Sequence, residues 1–222
     1  MSSPTQEHEP LEPTIHPIFD PQTSTFTYLV ACPTTLHAII IDSVLDFDPS
    51  TSHISTSTAD SLLALIRSQN YTIVKILETH VHADHLTASR YIQTQLTTAR
   101  TSSSDVDGEV EENGGNGGNG GGIKIKPEIC IGKRIVQVQQ RVADKYGGIP
   151  REEWEGAFDR VLEDEEEFSV GTLKGKVKHL PGHTPDHVGY LVGSNIFCGD
   201  SLFDPHVGSA RCDFPGGDAH AL

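Results

Sequence analysis

Glu78-Thr79-His80-Val81-His82-Ala83-Asp84-His85 sets three imidazoles and a carboxylate directly behind the strand-like run 71–77. On an extended chain alternate side chains share a face, so His80 and His82 point together into one cleft. The chain must then turn, which puts Asp84 and His85 on the other side of that cleft, at the start of a helical pattern. Imidazole nitrogen and carboxylate oxygen are ligands for borderline transition metals such as zinc and iron. A surface cluster or a hydrogen-bonded strand end would account for an isolated His-x-His. It does not account for a second block built on the same plan. Leu180-Pro181-Gly182-His183-Thr184 and then Ile196-Phe197-Cys198-Gly199-Asp200 each run from an apolar strand into a tight polar turn that presents a ligand-type side chain. Two such blocks in one chain point to a metal centre.

The three motifs resemble those of the metallo-β-lactamase superfamily. Within it, the run from Glu78 to Thr87 is similar to the persulfide dioxygenase branch, also called sulfur dioxygenase. So are the late run Ser209-Ala210-Arg211-Cys212-Asp213-Phe214-Pro215-Gly216-Gly217-Asp218-Ala219 and the early segment from Phe19-Asp20-Pro21 through Asp42-Ser43-Val44-Leu45-Asp46. The resemblance covers the chain from about Ile15 onward, apart from one insertion. It implies an αββα fold of the α/β class, a sandwich of two sheets with helices outside. Members usually continue past the Asp-Phe-Pro-Gly-Gly-Asp run with more helix and strand, so the expectation is a domain whose last elements are missing at Leu222.

The same resemblance implies a site. His80, His183 and Asp200 match the residues that hold one iron in persulfide dioxygenases. Two imidazoles and one carboxylate leave open positions on an ion, as in non-haem Fe(II) oxygenases. His82, Asp84 and His85 are then catalytic groups that position ligands or waters by hydrogen bonds. The implied reaction oxidises glutathione persulfide with O2 to sulfite and glutathione, a step of sulfide detoxification. Arg211 is a candidate anchor for the substrate, because a guanidinium forks onto carboxylates and other anions. An ion pair of Arg211 with Asp213 or Asp218 is an equal alternative. Two further readings stand beside this one. A zinc-dependent thioester hydrolase of glyoxalase II type would hold one or two Zn(II), using His80, His82 and His183 in one site, Asp84 and His85 in the other, and Asp200 between them. A truncated protein could also bind metal without turnover. A homodimer is a further option that the resemblance carries.

Composition bounds the rest. At 222 residues, and ~150 residues per domain, the chain makes one domain or at most two. A hydrophobic content of 36% is low, and part of that deficit sits in residues 101–122, TSSSDVDGEVEENGGNGGNGGG. Gly, Asn, Ser and acids offer little to bury, so this tract reads as a flexible loop inserted in a single domain over 15–222. Residues 1–14 read as a disordered tail. A net charge of −15 argues against a nucleic-acid partner. No apolar run approaches the ~20 residues that cross a bilayer. The acidic N-terminus lacks the apolar core of a signal peptide and the arginine-rich pattern of a transit peptide, so a cytoplasmic location is expected. Cys32, Cys130, Cys198 and Cys212 form no C-x-x-C pair and read as free thiols.

Periodicity predicts a hairpin from 25–31 and 38–42, a helix over 58–69, a strand at 71–77 and a helix over 86–96. After the insertion come a strand at 123–131, a helix over 134–146 that stops at Gly147-Gly148, and strands at 177–180, 187–192 and 194–198. The acidic run 163–167 reads as a solvated turn. His187 is either a neighbour of the cleft or an ordinary strand-start histidine, while Cys212 reads as a structural thiol.

Overall fold

The computed structural model describes residues 11–98 and 126–222; the tail 1–10 and the insertion 101–122 lie outside the described residues. The first sheet has six strands. In chain order these are β1 (Thr14–Asp20), β2 (Thr25–Ala31), β3 (His37–Ile41), β6 (Thr72–Leu77), β8 (Glu128–Gly132) and β9 (Arg160–Leu162), and they lie side by side in that order. The expected hairpin is β2–β3, joined antiparallel, whereas β3, β6, β8 and β9 run parallel.

Parallel central strands are apolar on both faces because both faces are covered. Ile39, Ile41, Leu77 and Cys130 face the second sheet. Their alternates Ala38, Ile40, Ile76 and Ile129 meet two helices, α1 (Ser57–Ser68) through Ala59, Leu62, Leu63 and Ile66, and α2 (Ser89–Thr98) through Ile92. The third helix, α3 (Ile135–Lys145), packs Ile135 and Val138 onto Ile131.

The second sheet is an antiparallel meander of β10 (Glu167–Val170), β11 (Leu173–His179), β12 (Val188–Val192) and β13 (Asn195–Phe197). Its inner face presents Phe168, Val170, Val177, Val188, Tyr190 and Val192 to the first sheet. Lys174, Lys176 and Lys178 alternate with those inward residues along β11. A small third sheet joins β5 (His53–Ser55), β4 (Val44–Asp48) and β7 (Leu86–Thr87). Among the described residues, the three α-helices pack on the first sheet, so this is the expected two-sheet sandwich with one of its outer helical layers. No helix among these residues is long and apolar enough to cross a membrane.

Two expectations need correction. Residues 86–88 are not helical: Leu86 and Thr87 pair with Leu45 and Val44, and α2 begins only at Ser89. Asp84 and His85 therefore sit in an irregular loop between β6 and β7, and their positions come from tertiary contacts. Tail and domain also meet earlier than expected. Glu12 accepts hydrogen bonds from the Ser194 amide and the Asn195 side chain, and β1 starts at Thr14.

Candidate metal centre

The C-terminal end of β6 carries the first block to the edge of the sandwich. The loop after β11 carries His183 there, and the turn after β13 carries Asp200. One oxygen gathers them: Asp200 Oδ2 lies 3.8 Å from His80 Nε2 and 3.4 Å from His183 Nε2. The two imidazoles meet edge to face, with ring centroids 5.0 Å apart. Both are buried, while Asp200 is about one-third exposed.

The hydrogen bonds fix which nitrogen of each ring is free. Thr79 Oγ1 donates its proton to Asp42 Oδ2 at 2.8 Å, so toward His80 Nδ1, 3.0 Å away, it acts as acceptor. His183 Nδ1 donates to the carbonyl of Arg211 at 2.7 Å. In both rings Nδ1 carries the proton, and a bare Nε2 lone pair faces Asp200. Burial holds His80 well below the ordinary histidine value, which keeps it neutral. Burial also raises the Asp200 carboxyl, with His183 opposing it. Two imidazole Nε2 atoms and a partly desolvated carboxylate aimed at one point form a donor set that fits a divalent transition ion.

A second group lies beside it. His82, Asp84 and His85 bring one ligand atom each within 4.8 Å of one another. His82 Nε2 meets Asp42 Oδ1 and Glu78 Oε2, each at 3.2 Å. Burial alone would lower His82, but these two buried carboxylates outweigh it and raise it well above its ordinary value. His85 Nδ1 lies 3.3 Å from Asp84 Oδ2, and its buried Nε2 meets no hydrogen-bond partner among the described residues. Burial pushes Asp84 up, yet the hydrogen bond and charge of His85 hold it down at about 2.

The late run wraps His183. Besides the Arg211 carbonyl, the Phe214 ring meets the imidazole edge-on at 5.0 Å, and the Asp218 amide donates to the carbonyl of Gly182. A Cβ on Gly217 would stand 2.3 Å from the Cys212 carbonyl oxygen and 3.1 Å from that of His183, which explains the glycine there. The Arg211 side chain forks onto Asp213, at 2.6 and 2.7 Å, and lies over Phe214 at 4.7 Å. The ion pair with Asp213, one of its two readings, is formed.

Several buried groups escaped the sequence reading. Asp42 directly follows β3 in a left-handed conformation (φ 51°) and anchors both Thr79 and His82. An acid straight after three isoleucines was the available signal. Glu78 accepts from the hydroxyls of Thr87 and Ser89, so it ties the metal loop to the start of α2. Asp186, fully buried, accepts the amide of Val81 at 3.0 Å. The acidic run 163–167 forms a turn whose carboxylates pair with Lys133, Arg134, Arg160 and Lys178, away from the centre.

Comparison with known proteins agrees with this architecture. The sequence profile of the Metallo-beta-lactamase superfamily matches residues 20–222. A "Probable metallo-hydrolase" of Burkholderia pseudomallei is 35% identical over 94% of this chain and 65% of its own length. A "Beta-lactamase hydrolase-like protein" of Xylella fastidiosa is also 35% identical, over 95% of this chain and 42% of its own. This chain thus spans less than two thirds of either relative. Among solved structures, ETHE1 from Myxococcus xanthus shares the fold with a TM-score of 0.61 and 24% identity, over 94% of this chain and 65% of that one.

Proposed function

The chain belongs to the metallo-beta-lactamase superfamily, and on that premise we propose that it is an iron-dependent persulfide dioxygenase. The substrate is glutathione persulfide, whose terminal sulfur takes up both atoms of O2 and one oxygen from water, leaving as sulfite and releasing glutathione. One observation carries the reading: two bare imidazole nitrogens converge on a single carboxylate oxygen. That is the two-histidine, one-carboxylate set suited to one ion with positions left open. The likeness of the runs 78–87 and 209–219 to the persulfide dioxygenase branch supports it.

A bound Fe(II) supplies the electron and O2 chemistry that side chains lack. The protein's own part is placement. Thr79 and the Arg211 carbonyl keep the protons of His80 and His183 on Nδ1, and so hold both Nε2 atoms ready as donors. His82, Asp84 and His85 line the next stretch of the cleft, where they orient water and substrate. Arg211, 65% exposed, stands at the rim, where its charge draws an anionic persulfide.

A second reading has its own observation. The grouping of His82, Asp84 and His85, with the unpartnered His85 Nε2, supports a second ion and a zinc-dependent thioester hydrolase, in line with the names of both relatives. Metal content and O2 uptake on anaerobically purified protein separate the two. Iron at about one per chain with persulfide-dependent O2 uptake is the expected result. Zinc near two per chain, thioester hydrolysis and no O2 uptake would replace it with the hydrolase.

A further inference from the structure

His187 is fully buried, and the site described above leaves it without a role. Its ring stacks on His80 with centroids 4.7 Å apart and planes 21° from parallel. Its edge is bound on both sides. Nε2 lies 3.1 Å from the backbone amide of Asp200, and Nδ1 lies 3.1 Å from Ser201 Oγ. An amide can only donate, so Nε2 is the acceptor and Nδ1 carries the proton. Ser201 Oγ receives that proton and passes its own to the carbonyl of Leu180 at 3.2 Å. Each donor in this chain has an acceptor, and both ring nitrogens are consumed. His187 is therefore not a metal ligand.

The backbone around Asp200 is shaped to this ring. Gly199 takes φ +48°, and a Cβ there would stand 3.0 Å from His187 Nε2 and 2.5 Å from Thr79 Oγ1. The turn bearing Asp200 thus packs closely against both the imidazole of His187 and the hydroxyl that orients His80.

We infer that His187 is a positioning residue that locks the Asp200 turn against His80, so that carboxylate and imidazole are set to each other through one shared ring. The inference rests on the reading of His80, His183 and Asp200 as the ion-holding set. One face of His187 fixes the plane of His80, and one nitrogen fixes the backbone from which Asp200 projects. Partners of this kind commonly govern metal affinity by roughly 10–100-fold.

The test is cobalt(II) binding by the full chain, which reads ligand geometry whether the protein oxidises or hydrolyses. Affinity is measured by chelator competition and geometry by the visible ligand-field spectrum, with a melting curve for each variant. His187→Phe keeps an aromatic face for His80 but cannot accept the Asp200 amide. His187→Gln returns an acceptor near the lost Nε2. Ser201→Ala keeps the ring and frees its Nδ1–H, and decides the matter if the phenylalanine variant does not fold. Expected are a loss of roughly 10–100-fold in cobalt affinity with altered bands for His187→Phe, recovery to within a few-fold for His187→Gln, and a smaller loss in the same sense for Ser201→Ala. Unchanged affinity and spectrum in a folded His187→Phe overturns this inference alone. So does a glutamine variant as weak as the phenylalanine one, or an unaffected Ser201→Ala. A wild-type chain that takes up no cobalt removes the ion-holding set and this inference with it.

Discussion

Asp42 and Thr79 are joined twice, amide to Oδ1 at 2.7 Å and hydroxyl to Oδ2 at 2.8 Å. Because the hydroxyl proton is committed to Asp42, Thr79 can only accept from His80, and the ring's outward nitrogen is left bare. The same carboxylate is paired with His82, which is buried with it. Asp42→Ala should therefore cost about 3 kcal/mol of stability, because it strips one of two carboxylates from buried His82 and both side-chain acceptors from Thr79. Urea unfolding checks this. Asp42→Asn, which keeps an acceptor for Thr79, should be milder and should retain more metal.

Alanine at His80, His183 or Asp200 should each empty the centre, because each removes one of three converging donors. His85→Ala should leave about one metal per chain. Plasma mass spectrometry on the four variants decides it. Loss of half the metal in His85→Ala would instead favour the two-ion reading.

Asp159 predicts an acid limit to stability. It accepts the Ile129 amide at 2.9 Å, the Gln93 side chain at 2.5 Å and Lys126 at 3.2 Å, so one carboxylate ties β8, α2 and the segment before β9. Partial burial pushes it up, but these donors outweigh it and hold it at about 2, below the ordinary 3.8. A folded value below the unfolded one gives stability that is complete above pH 4 or so and disappears as pH falls through about 2. The linked amount is about 2 kcal/mol. Asp159→Asn should lower the melting temperature at neutral pH and flatten its fall between about pH 4 and 2. A fall as steep as that of the wild type would contradict this.

Arg211→Ala tests the rim. Its partner Asp213 is as exposed as it is, and pairs of that kind contribute little to stability. The melting temperature should hold, while KM for the proposed persulfide substrate should rise with kcat nearly unchanged, as expected when a group binds substrate without sharing in the chemistry. An unchanged KM would leave Arg211 with the ion pair alone.

The two ligand blocks were legible because each places a chemically distinctive residue at the end of an apolar strand. The β2–β3 hairpin and α1 were legible for the same reason: β-branched runs and a one-sided leucine stripe are strong periodic signals. β1 was not, since Thr14–Asp20 is half exposed along an edge and contains Pro17, a residue that argues against a central strand. β7 was hidden because two residues carry no period, and Leu86 and Thr87 are strand only through their pairing with β4. Asp42, Glu78 and Asp186 were missed, and His187 was left open between a neighbour of the cleft and an ordinary strand-start histidine. What Asp42, Asp186 and His187 do depends on groups distant in sequence that only the folded chain brings near, such as the Val81 amide, 105 residues from Asp186.

His80 descends from the first sheet, whereas His183 and Asp200 descend from the second. Between them the Val188 amide donates to the Thr79 carbonyl at 2.8 Å, and the Tyr190 hydroxyl donates to that of Glu78 at 2.7 Å. An ion in this place is a rivet through both halves of the sandwich, and its affinity is then part of the free energy that keeps them closed. Chelation should loosen the molecule along that seam before anywhere else, with amides of β6 and β12 the first to lose protection from hydrogen exchange. Substitutions far from the centre that spread the sheets should, by the same linkage, surface as weakened metal retention.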